Sequence, residues 1–417
     1  MINAVLERCA GIDIGKKFLV ACVMVGPADR EPKTEIRQFG TSISELENLK
    51  AWLQSEGCTH AAMESTGSYW KPVFNVLEGS VIVILANAQQ VKARKGHKTD
   101  PNDSVWLAHL LRHAMIRPSF IPPREIRDLR ELTRRRKQLL NAGTAERNRL
   151  QKILEEANVK IGSVLSDVFG KTGQAILDAL LEGKASAEEM AHLARGLAKR
   201  KIPQLIEALR GHRLSEAHRF LIQHCLRHMA FLEESIEQLE ARILEQIDKT
   251  NLVHPLNLLQ TIPAIKQTAA AAILAEIGSS IEPFPSPGQL ASWAGLCPGN
   301  NKSANKTFGT NCTKGNQWLR TTLAECAWAA SMQNGSSFQV RFKRLAPRIG
   351  RRAAIVAVAH AMLIAVYQVL ETGQPYSKDT ARATPNQKHR LVRHHFRCLQ
   401  KLGVRVTIDS AVTDPPA

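Results

Sequence analysis

The chain has 417 residues, 44% hydrophobic and 5% aromatic, with 56 Lys and Arg against 38 Asp and Glu, a formal net charge of +18. That length exceeds one ordinary domain, so two or three are expected, each able to bury a core. The charge points to nucleic acid or another anionic surface as partner and argues against an acidic, solvating chain. From Arg8 to Val25 the pattern predicts two strands joined by a turn at Gly15-Lys16-Lys17, and Glu35 to Gly40 a third. Ser44 to Glu56 reads as a helix with Leu46, Leu49, Trp52 and Leu53 on one face and Ser44 as its cap. A strand at Ala61 to Glu64, a helix at Lys71 to Leu77, an apolar strand at Val81 to Leu85 and a helix at Pro101 to His113 follow. Strands that meander and then alternate with helices predict a mixed sheet covered by helices.

From Arg124 to Asn158 the spacing predicts one long basic helix, with ten Lys or Arg and four Asp or Glu between Arg124 and Lys152. A second long helix, His218 to Lys249, carries Leu232, Ile236, Leu239 and Ile243 at coiled-coil spacing; an intramolecular helical hairpin would produce the same stripe. Residues 160–215 read as helical without a motif. Beyond Asn251, the run from Leu258 to Gly278 resembles a helix-hairpin-helix element, with Ala264 and Lys266 where that element normally has glycines. A turn-rich connector, Pro283 to Gly288, precedes a polar loop, Gly299 to Asn311, and a helix opening near Lys314. Arg341 to Arg352 holds six basic residues and no acid. Ala353 to Leu370 only just reaches spanning length and contains His360 and Gln368, so it reads as a core helix. The domains expected are 1–123, 124–250, 251–375 and a basic tail, 376–417. The eight cysteines form no Cys-x-x-Cys, which suits a reducing, cytoplasmic setting, and no leader peptide is expected.

Four carboxylates carry the chemistry. Asp13 lies in Gly-Ile-Asp-Ile-Gly, an apolar strand where an acid is costly without a compensating cation. Glu64 closes a second apolar strand. Asp100 and Asp103 are three apart at a helix start, where they share one face but would also serve as cap and first-turn acid. A cluster of acids suits Mg²⁺, and paired metals are a common means of cutting phosphodiesters. Strand acid, strand acid, helical pair is the order of RNase H-like nuclease folds. An actin-like kinase reading of Gly11 to Lys17 lacks its second phosphate-binding Asp-x-Gly. Ser303 sits among Asn300, Asn301, Lys302, Lys306 and Lys314, side chains able to hold a phosphate, with no base nearby in sequence to activate it. His394, His395 and Cys398 read as incidental to the basic tail.

Asp13 in Gly-Ile-Asp-Ile-Gly, Glu64 in Met-Glu-Ser-Thr-Gly-Ser-Tyr-Trp, and Asp100 and Asp103 in Lys-Thr-Asp-Pro-Asn-Asp resemble the acidic tetrad of the DEDD transposases of bacterial insertion sequences, the "IS-one-ten" family. Trp293-Ala-Gly-Leu-Cys-Pro-Gly-Asn-Asn-Lys-Ser-Ala-Asn-Lys, followed by Thr313-Lys-Gly-Asn-Gln-Trp-Leu-Arg, resembles that family's second domain. The likeness covers nearly all of residues 8–370; Asn305 departs where the family often has glycine.

The resemblance implies an RNase H-like (RuvC-like) N-terminal domain, coiled-coil helices and a helical C-terminal domain bearing a serine. It implies that Asp13, Glu64, Asp100 and Asp103 bind Mg²⁺, and that Ser303 attacks the DNA backbone to form a phosphoserine link. It implies a bacterial enzyme working as a dimer or tetramer with DNA and a structured guide (bridge) RNA, and no membrane. Two other readings stay open: a resolvase-type nuclease using water, and a non-catalytic nucleic-acid-binding protein.

Overall fold

Apolar residues alternate with a period of two through much of the first hundred residues and recur every three to four thereafter, and the fold divides accordingly. The computed structural model describes residues 4–65, 67–86, 100–299, 301–303, 306–309 and 312–377, with backbone alone at 100–102, 301–303 and 306–309. The chain forms two units, Met1–Ile121 and Pro122–Ala417. The basic tail beyond Ser377 lies outside the described residues.

The first unit is a mixed five-stranded sheet in the order β3-β2-β1-β4-β5. Strands β1 (Arg8–Ile14), β2 (Phe18–Val25) and β3 (Lys33–Gly40) form the antiparallel meander, while β4 (His60–Glu64) and β5 (Ile82–Ala86) add in parallel beside β1. The parallel additions need crossovers, which α1 (Ile43–Ser55) supplies before β4 and α2 (Trp70–Leu77) before β5. Helix α1 is capped by Ser42, not Ser44: the Ser42 hydroxyl accepts from the Glu45 amide, and the Glu45 carboxylate accepts from the Gly40 amide. Only the residue three before Glu45 can make that reciprocal closure.

One sheet face, with Ala10, Ile12, Ala61 and Met63, packs on α1 and α2 around Leu46, Leu49, Leu53 and Leu77. The other, with Cys9, Cys22 and Ala62, is covered by α3 (Asp100–Arg112) through Ala108 and Leu111. Edge strand β3 blunts its exposed side with Lys33, Glu35 and Arg37. Beside β5, Ala86 bridges Pro118 and the Ser119 amide bonds Leu85.

The second unit is helical apart from one hairpin. Its spine is α4 (Arg124–Glu156, 33 residues) lying antiparallel to α9 (Glu216–Lys249, 34 residues). Arg136 with Glu240, Arg147 with Glu233 and Glu146 with His228 set the direction: as numbers rise on α4 they fall on α9. Leu232 and Ile243 are buried in this chain and Ile236 and Leu239 half-buried. The stripe is thus occupied within one chain, and the hairpin alternative accounts for it. Residues 160–215 cap one end of the pair as a small bundle: α5 (Ile161–Val164), α6 (Lys171–Glu182), α7 (Ala187–His192), a 3-10 turn (Gly196–Lys201) and α8 (Ile202–Leu209).

Helices α10 (Val253–Gln260), α11 (Gln267–Ile277), α12 (Pro287–Trp293), α13 (Gln317–Met332), α14 (Ser337–Ile349) and α15 (Arg351–Thr372) follow. Helix α15 is the one described helix long and apolar enough to cross a membrane. It packs against α12, α13 and α14 and buries Val358, Ala359, Met362, Leu363 and Val366, as a core helix does.

Between α10 and α11 the chain turns through Ala264 at φ 66°, the left-handed region that glycine occupies in a helix-hairpin-helix turn. The Cβ–carbonyl crowding there costs about 1 kcal/mol. Ala264→Gly should therefore raise the unfolding temperature in calorimetry. A lowered temperature would show that the methyl gains more from packing than the backbone loses.

Candidate active site

Asp13 and Glu64 stand side by side. In the parallel pair β1–β4, Ile12 is opposite Met63, so Asp13 and Glu64 are the next residue on each strand, at the carboxyl ends. Alternation directs side chains: Ile12 and Met63 enter the α1–α2 core, while Cys9, Gly11 and Ala62 face α3. Asp13 and Glu64 share the α3 face by the same period. Both are half-buried.

Helix α3 crosses that face antiparallel to β1, in a repeating match. The Arg112 guanidinium meets the Leu6 and Glu7 carbonyls, the Cys9 thiol meets the Ala108 carbonyl at 3.7 Å, and Gly11 abuts Ser104 and Ala108. Every two strand residues, about 6.6 Å, meet four helix residues, about 6 Å. One further step brings Asp13 level with the first turn of α3, which opens at Asp100. Gly11 permits this approach: a Cβ there would stand 2.2 Å from the Ser104 oxygen and 2.3 Å from the Ala108 nitrogen.

Asp103 is exposed on that first turn, and the Asp100 side chain lies outside the described residues. Among the described residues no group of three or more His, Cys, Asp or Glu is close enough to hold a metal. The pair Asp13 and Glu64 is the part of the tetrad brought together here. Nucleophilic cysteine chemistry has little support nearby, since burial pushes the Cys9 thiol up to about 11 and the Cys22 thiol up to about 12.

Ser303 lies in the second unit, and its side chain is outside the described residues. Its backbone ends β6 (Asn301–Ser303), which pairs with β7 (Lys306–Gly309), so the stretch read as a loop is a hairpin. The stem explains why: Pro298 bridges Cys312, and the Thr313 amide donates to the Cys297 carbonyl at 3.1 Å. Those bonds join residues far apart in sequence, which local polarity does not reveal. Two glycines pack the stem, for a Cβ on Gly315 would stand 2.3 Å from the Gly295 nitrogen.

Sequence reading missed Glu276. It is 2% exposed on α11 and accepts from Arg134 at 2.8 and 2.9 Å and from the Asn316 amide at 2.6 Å, with Arg130 at 3.4 Å. Asn316 in turn caps α13 by accepting from the Leu319 amide. Burial pushes the Arg130 guanidinium down to about 10 against the pull of Glu276, so it remains charged at neutral pH. An acid in the apolar run Ala269 to Ile277 is the same signal that singled out Asp13.

The basic helix α4 is also largely neutralised within the chain. Arg130 and Arg134 pair with Glu276, Arg136 with Glu240, Lys137 with Glu325, and Arg147 with Glu233. In contrast, Arg341, Lys343, Arg344, Arg348, Arg351 and Arg352 are exposed, and among the described residues none of them forms an ion pair with an acid. Arg351 lies over the exposed Trp328 ring at 6.0 Å.

Comparison with known proteins bears on both units. Residues 10–159 match the DEDD family model described as "Transposase" and residues 256–343 the one described as "Transposase IS116/IS110/IS902 family". A Sinorhizobium fredii protein named "Putative transposase y4qE" is 28% identical over 169 residues, 35% of this chain and 40% of that relative. The match thus spans well under two thirds of the relative's length. The first model takes in the paired strand acids and α3, and the second the stem and hairpin that carry Ser303; the chain belongs to the IS110-type transposase family.

Proposed function

We propose that this chain cuts and rejoins DNA as the transposase of an insertion sequence. In this reading Asp13, Glu64, Asp100 and Asp103 hold a divalent ion, and Ser303 takes the cut strand as a phosphoserine. The observation that carries it is the common register of Asp13 and Glu64 on adjacent parallel strands, on the face crossed by the helix that opens at Asp100. The strand order β3-β2-β1-β4-β5 supports an RNase H-like first unit. Carboxylate oxygens are the hard donors that Mg²⁺ takes, so the donor set fits that ion. When bound, it neutralises charge developing on the transferring phosphate.

Ser303 lies within the segment that the second family model matches. Its hydroxyl oxygen bonds to phosphorus as a strand's P–O bond breaks, and its proton leaves to the departing oxygen or to water. Reversal on a second strand rejoins DNA. The acid-free basic run of α14 and α15 supports a nucleic-acid partner. A structured guide RNA, a dimer or tetramer and a cytoplasmic setting complete the reading.

The test is a covalent adduct. Wild-type protein incubated with element-end DNA and Mg²⁺, then denatured, should keep DNA attached, and Ser303→Ala should not. An adduct surviving in Ser303→Ala would place the nucleophile elsewhere. Cleavage with no adduct in the wild type would favour water attack at the acids.

A further inference from the structure

The second unit contains a cleft that the transposition chemistry does not use. It lies among α4, α11 and α13, with a volume of about 250 Å³. That is below the ~300–1,000 Å³ of sites for drug-sized ligands, so it suits one small planar group. Half-buried Trp318 forms one wall, with the Arg134 guanidinium 5.4 Å from its ring centre. Glu276 lies at the base, and the hydroxyls of Thr268 and Thr322 offer hydrogen bonds to an occupant's edge. The left-handed turn at Ala264 borders the opening.

Charge narrows the class of occupant. Arg134 is committed to Glu276 and Arg136 to Glu240, so the wall is polar but close to neutral. A free anion would have to break buried pairs to bind there. A neutral group with a π face and hydrogen-bonding edges would not. Lys137 is the exception: its partner Glu325 is 59% exposed, and an exposed pair is worth little. It could release Lys137 to a phosphate at the rim.

We infer that this cleft receives a single unpaired nucleotide, its base against Trp318 between α11 and α13 and its phosphate near Lys137. This rests on the reading that the protein acts on nucleic acid, and adds that part of the strand is held unpaired at this point. DNA and RNA share the chemistry, so both are tested.

Full-length protein is titrated with labelled oligothymidylate, oligouridylate and a duplex of equal length. Ala272→Leu fills the cleft from α11 without changing charge, and Thr268→Trp obstructs it from an exposed position that folding tolerates. Each should weaken binding of at least one single strand by about tenfold, the loss of one stacked base, with duplex affinity unchanged. A single strand carrying 5-iodouracil should photo-crosslink to Trp318. Both filled variants binding both single strands as tightly as wild type would overturn the inference, as would crosslinks that avoid the cleft. Wild-type protein that binds neither strand nor duplex would overturn the transposase reading as well.

Discussion

Asp13→Asn should lower DNA cleavage by about 10²–10³-fold or more, the cost of removing one preorganised charge from a transferring phosphate. The substitution is isosteric, and the strand has reason to keep its place. Its backbone is bonded on both sides, to β2 through Asp13 opposite Val20 and to β4 through Ile12 opposite Met63. Folding stability should therefore change little, while the carboxylate beside Glu64 is gone. Nucleic-acid affinity and its salt dependence should stay at the wild-type level, because basic surfaces far from the strand ends set both. Single-turnover cleavage in Mg²⁺, with binding and melting measured on the same preparation, checks this. Wild-type cleavage by the variant would make Asp13 a structural residue. Lost binding would mean that the strand ends help to hold DNA.

Arg112→Met should destabilise the first unit by about 3–5 kcal/mol, the range for leaving buried polar groups without their charged partner. Arg112 is 2% exposed at the last turn of α3, yet its guanidinium faces backbone oxygens: Leu6, Glu7, Gly26, Pro27 and Arg30, the nearest at 2.7 Å. Five donors in a rigid fork can satisfy such a ring of carbonyls. Methionine keeps the apolar stem but strands those oxygens in the interior. Lysine keeps the charge but not the fork, so Arg112→Lys should be only partly better. Urea unfolding followed by far-ultraviolet circular dichroism would show the loss. Stability equal to wild type in Arg112→Met would mean that water replaces the guanidinium at little cost. Because Arg112 ties the loop after β2 to α3, the loss should also loosen the helix that carries Asp103.

Much of the first unit could be read without coordinates. An acid between Ile12 and Ile14 in an apolar strand is legible because its burial costs energy wherever the strand packs. Strand and helix order follow from periodicity, which is a local property. The hairpin at Ser303 was not legible, because its stem closes through Cys297 and Thr313, and polar spacing carries no trace of that bond. Nor was the cap at Ser42, since Ser44 is an equally good candidate until Glu45 is seen to fold back on Gly40.

The sequence by itself therefore determined the kinds of elements, their order, the candidate acids and the family resemblance. Tertiary structure decided which residues became partners. It set Asp13 beside Glu64 through strand register, directed the stripe of α9 onto α4, and used much of the positive charge of α4 on Glu276, Glu240, Glu325 and Glu233. The reason is physical. Periodicity and propensity act over a few residues and can be read from neighbours, whereas a buried charge is satisfied by whichever group the packing brings within about 3 Å, however distant in the chain.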